Sequence, residues 1–163
     1  SNGDKDVDHL QLAKTINDYL QQNSHYGSNE EYYIESIDAT SRTLVFRTTA
    51  TRGRIGLEGK LDEGWVATMA DNMTSVLIAA FTGLQVSVSS TLAVHALASV
   101  DAGTELRVVC RLENVDGPRS HATASFVDAK DPHRVYAVAN HTKIAKGTTQ
   151  LSAESTHYKP ASL

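Results

Sequence analysis

Leu61-Asp-Glu-Gly-Trp-Val-Ala-Thr-Met-Ala-Asp-Asn-Met-Thr-Ser-Val-Leu-Ile-Ala-Ala-Phe81 is the one long apolar helix the chain can form outside its N-terminal segment. Val66, Met69, Ala70, Met73, Val76, Leu77, Ala80 and Phe81 recur at helical spacing, so a broad face is expected in a core. Asp62 suits the N-cap and Gly83 the stop. A second stripe, Gly64, Ala67, Thr68, Asp71, Thr74 and Ser75, is small or polar with one carboxylate in its middle. Such a stripe admits a neighbouring backbone or a ligand, and its acid must be hydrogen-bonded or used. Asp71 is therefore either a structural acid bonded to Thr68, Thr74 or Ser75, or the centre of a site.

Outward from the helix, the chain reads as sheet. Residues 4–22 form an amphipathic N-terminal helix with Asp4, Asp6 and Asp8 near its positive end, and a polar loop follows from Asn23 to Asn29. Residues 31–40 and 43–50 flank Ser41-Arg42 as a hairpin. The segment 51–60 carries three glycines and three basic residues and reads as a flexible loop, since it fails both phosphate-loop templates. Its functional version puts Arg52, Arg54 and Lys60 on an anionic ligand tail. Strand patterns at 86–98, 104–114, 119–128 and 134–144 are separated by Asp101-Ala-Gly103, Asp116-Gly-Pro118 and Lys130-Asp-Pro132. Leu106, Val108, Cys110 and Leu112 alternate with Glu105, Arg107 and Arg111, giving one packed face. Residues 147–163 lack periodicity and read as a loose tail.

Two strands, a long helix and four more strands imply an α+β fold, an antiparallel sheet of about six strands wrapped around one helix, in a single domain spanning 1–163. A helix apolar on more than one side is not covered by one sheet, so a homodimer or homotetramer is expected. The formal charge of −4, with signs interspersed, indicates neither a nucleic-acid footprint nor a membrane patch. No run reaches the length of a membrane span. The lone Cys110 excludes an intrachain disulfide and fits a reducing compartment. The cytoplasm is the expected location, or an organelle if a targeting segment once preceded Ser1. The seven histidines include no pair at metal-ligand spacing, so no metal is expected.

The run Gly64-Trp-Val-Ala-Thr-Met-Ala-Asp-Asn72, with Ser89 eighteen residues after Asp71, then Ala102-Gly103 and the strands around it, resembles the hotdog-fold acyl thioesterases. The similarity is greatest to the phenylacetate-pathway and thioesterase superfamily member 2 branch, and it covers roughly residues 45–146. It implies a dimer or tetramer with a site at the subunit interface, where Asp71 acts as base or nucleophile and Ser89 places a water. Gly64 matches the second glycine of the family's His-Gly-Gly helix start, whose first glycine supplies the oxyanion-binding amide. Coenzyme A or phosphopantetheine enters as part of the substrate, an acyl thioester of the coenzyme or of a carrier protein, and no separate cofactor is implied. The chain departs from the pattern at Asp62-Glu63, which replace His-Gly, and at Gly56, where an Asn or Gln is usual.

A helix N-terminus with free amides suits a developing oxyanion, and a carboxylate two turns on suits activation of water. Asp62 and Glu63 read as cap and first-turn acid, or as a relocated acid and base for dehydration, decarboxylation or cyclisation of a polyketide-like intermediate. His95 is an alternative acid–base partner. Thr68, Thr74 and Ser75 would contact the ligand, with Trp65 as pocket wall. For Ser89 the plain alternative is a strand serine facing solvent or a neighbour. A third reading is a non-catalytic acyl-binding or dimerisation domain.

Overall fold

The computed structural model describes residues 2–23, 31–83 and 86–146. Along the chain run α1 (Asn2–Asn23), β1 (Tyr33–Asp38), β2 (Thr43–Ala50), α2 (Glu63–Thr82), β3 (Ser87–Ala96), β4 (Thr104–Asp116), β5 (Arg119–Asp128) and β6 (Val135–Ala145). The expected tail at 147–163 and nearly all of the expected loop at 23–29 lie outside the described residues. The strands form one sheet in the order β1-β2-β4-β5-β6-β3, with every neighbouring pair antiparallel.

The central helix begins and ends where its caps demand. Asp62 has extended backbone and its carboxylate accepts the Trp65 N–H at 2.9 Å, while Gly83, at φ 91°, closes the far end with its N–H on the Ala79 carbonyl. The predicted apolar face is buried, with Val66, Met69, Ala70, Met73, Val76 and Leu77 all fully covered. They pack on the inner positions of β2, β4 and β5, among them Leu44, Phe46, Leu106, Val108, Cys110 and Phe126. In α1 only part of the predicted stripe is inside. Ala13 and Ile16 are buried, whereas Leu12 and Tyr19 are exposed at 42% and 39%.

The segment 51–60, expected as a flexible loop, is regular. Arg52–Arg54 makes a 3-10 turn, and single bridges pair Ile55 with Leu61 and Lys60 with Ser99. Gly59 allows this because its φ of 75° is a conformation side chains resist.

Two features of the sheet position the site. On β6, Ala137, Ala139 and His141 are buried, and Lys143 and Ala145 continue that parity, so two polar residues sit on the face turned to α2. The register of β3 against β6 shifts between Ser89 and Thr91, the mark of a bulge, and Ser89 lies opposite Lys143.

Candidate active site

The polar stripe of α2 meets the polar end of β6. His141 is fully buried, with Nδ1 2.7 Å from the Thr74 hydroxyl oxygen and Nε2 2.7 Å from the Ser89 hydroxyl oxygen. Thr74 is also fully buried and donates its own hydroxyl proton to the Ala70 carbonyl at 2.6 Å. Toward His141 it can therefore only accept, which places the imidazole proton on Nδ1 and leaves Nε2 as acceptor of the Ser89 O–H. The chain of bonds has one polarity, from Ser89 to His141 to Thr74 to the helix backbone.

Asp71 stands at the open side of this chain. Its side chain is 48% exposed, and Oδ1 lies 3.7 Å from His141 Nε2, close for a charge but too far for a hydrogen bond. One turn further along α2, Ser75 accepts from the Lys143 ammonium at 2.9 Å. Burial lowers the Lys143 pKa and the Asp71 charge partly restores it.

Burial likewise pushes His141 down from 6.5 to about 4, against the opposing pull of Asp71, with Lys143 and His121 adding smaller downward pushes. The imidazole is thus neutral at pH 7. Because the unfolded chain takes up this proton near pH 6.5 and the folded chain resists it until about pH 4, stability is complete above that window and falls within it. The expected loss is up to about 3 kcal/mol. Urea denaturation at pH 7 and pH 4.5 should show it, and His141→Leu should lose this part of the slope.

At the start of α2 the two acids are engaged. Asp62 caps the helix, and Glu63 Oε1 accepts the Ala96 N–H of β3 at 3.4 Å. Gly64 is exposed, and a Cβ there would stand 3.1 Å from the capping carboxylate, which favours glycine at this position. If Asp62 is a cap, Asp62→Asn should keep full stability in thermal unfolding, while Asp62→Ala should lose about 1 kcal/mol.

Other residues expected at a ligand are occupied elsewhere. Trp65 is buried edge-on against Phe126, with the Arg54 guanidinium 4.9 Å above its ring. Arg54 Nη1 donates to the Thr48 hydroxyl and to the Thr49 carbonyl, so this cation faces the fold rather than a ligand tail. Thr68 donates to the Gly64 carbonyl, and Thr74 lies behind His141 as its support. Among the described residues Lys60 pairs with Glu58, at 4.0 Å and largely exposed. His95 is exposed on β3 opposite Val138 and does not join the cluster. Asp71, Ser89 and Ser75 are thus brought together, with His141 and Lys143 as members the sequence reading passed over. Strand parity was the available signal, since alternation from Ala137 and Ala139 leads directly to both.

No family model matches the chain, and no curated protein matches it. Solved structures do. The E. coli PaaI protein of the phenylacetic acid degradation operon superposes with a TM-score of 0.69 at 15% identity, covering 85% of this chain and 96% of its own. Zebrafish thioesterase superfamily member 2 gives 0.70 at 17%, covering 84% and 98%. The smu.793 protein of Streptococcus mutans, solved bound to acetyl CoA, gives 0.62 at 17%, covering 74% and 92%. The six-stranded antiparallel sheet closed around α2 is therefore the hotdog fold, shared with these structures.

Proposed function

We propose that the protein hydrolyses an acyl thioester, of coenzyme A or of a carrier protein bearing an acyl or polyketide-like chain, at a site completed by a second copy of itself. The observation that carries this reading is the half-exposed Asp71 carboxylate 3.7 Å from the same His141 Nε2 that lies 2.7 Å from the Ser89 hydroxyl and holds its proton. Ser89 then offers only lone pairs, and so does Asp71. A water between them donates one hydrogen to each and is left with a lone pair aimed outward, at the thioester carbon. As that bond forms, Asp71 accepts the proton, and as the tetrahedral adduct collapses and the carbon–sulfur bond breaks, Asp71 passes the proton to the departing sulfur, releasing the thiol and leaving the acid.

The carbonyl oxygen needs donors, and the helix start around Gly64 offers amides and a positive dipole. Seven residues separate Gly64 from Asp71, about 10 Å along the axis, so one carbonyl does not touch both in the same chain. A second copy resolves this. Strand β3 is an open sheet edge without a charged residue, and Val88 and Leu92 on it are exposed at 40% and 37%. Pairing there would bring one helix start toward the other copy's Asp71. Sedimentation at the monomer mass would remove this part of the proposal.

The structural neighbours lend support, since the zebrafish protein is named a thioesterase and the smu.793 protein was solved bound to acetyl CoA. A lyase or cyclase working through Asp62 and Glu63 has less in its favour, because both carboxylates are bonded within the chain. The deciding experiment is thiol release from a panel of acyl-CoA and carrier-linked thioesters by wild type and Asp71→Asn. Loss of water without free thiol would favour the lyase, and tight binding without turnover would favour a non-catalytic acyl-binding domain.

A further inference from the structure

Beyond Ser75, a cavity of about 670 Å³ opens between the second half of α2, the start of β3, the end of β4 and β6. Its wall is apolar at Ile78, Phe81 and Leu112, and Val86 and Val115 leave apolar surface uncovered beside it, at 62% and 39% exposure. The charged residues that line it are both cations, Arg42 and Lys143, and no acid lines it among the described residues.

Lys143 is the unusual member. It occupies an inward position on β6, its ammonium has three hydrogens, and among the described residues its one hydrogen-bond acceptor is the Ser75 hydroxyl. No carboxylate lies within 4.0 Å of it among the described residues, and Asp71 acts on it only through space. A part-buried cation so sparsely compensated is costly, and an anion arriving beside it recovers much of that cost. Arg42 is partly committed, donating to the Glu113 carbonyl at 3.4 Å, and keeps the lining positive.

We infer that this cavity binds an aliphatic carboxylate, its head on Lys143 and Ser75 and its tail along Ile78, Phe81 and Leu112. From Ser75 to Gly83 the helix runs about 12 Å, which gives the tail a medium chain's length of apolar wall. Such an acid is what thioester hydrolysis would release, yet the site stands whether or not the chain turns over a thioester. Carboxylate is preferred to a neutral headgroup because a charge-assisted bond to a poorly compensated ammonium exceeds one from an alcohol.

Calorimetric titration of the full chain with octanoate and with 1-octanol tests this without any turnover. Octanoate is expected to bind at least about tenfold more tightly than octanol. Lys143→Met should erase that difference while leaving octanol binding in place, and Lys143→Arg should keep it. Equal affinity of wild type for the two probes, absence of octanoate binding, or full discrimination by Lys143→Met would each overturn the assignment. A protein inert on every thioester but selective for octanoate would defeat the hydrolytic reading and leave this one standing.

Discussion

Asp71→Asn should lower kcat on the best thioester substrate by about a thousandfold and change KM little, within the range general-base catalysis supplies. The asparagine keeps the shape at a side chain that is already half exposed, so folding is not at stake. What is lost is the proton acceptor. An amide also offers a donor on one side, which would turn the water that the proposed mechanism places between Ser89 and Asp71. Stopped-flow thiol detection separates kcat from KM, and equal rates for the two proteins would remove Asp71 from the chemistry.

The second large effect belongs to a residue that does not touch substrate. His141→Leu fills similar space but removes the acceptor that holds the Ser89 proton, and the hydroxyl becomes free to donate to the water it should accept from. A loss of about a hundredfold in kcat is expected, with KM nearly unchanged, and Ser89→Ala should lose a similar amount. Because both act through one bond, the double variant should be no worse than either single one. His141→Gln, which retains an acceptor, should recover much of the rate. Additive losses in the double variant would show His141 acting by another route, and wild-type rates in His141→Leu would show it to be packing alone.

Much of the fold was legible before any coordinates. The apolar repeat from Val66 to Phe81, Asp62 as cap and Gly83 as stop each carry a local physical signature, and α2 begins and ends where they indicate. The strands and turns were equally readable, because alternation along β4 and turn residues such as Gly117, at φ 54°, act within a few positions. The site was legible only in part. The helix stripe singles out Asp71 and the family spacing Ser89, but the bond that gives Ser89 its direction joins residues 52 apart across two strands, and no local window contains it. His141 and Lys143 belong to no spacing motif, and only their parity with the buried Ala137 and Ala139 points to them. Thr74, Thr68 and Arg54 were assigned outward because they are polar. Each spends its hydrogen bonds on the protein's own backbone or side chains.

Strand β3 carries a further consequence. Its ten residues, Ser-Val-Ser-Ser-Thr-Leu-Ala-Val-His-Ala, contain no lysine and no proline, the devices by which sheet margins keep strangers away. A lone subunit would offer this margin to any extended chain, so the proposed association would double as protection against clumping, and dilution would then be a hazard as well as a loss of the proposed shared cleft. The melting temperature should then climb with protein concentration, tying the lifetime of the folded chain to the company it keeps.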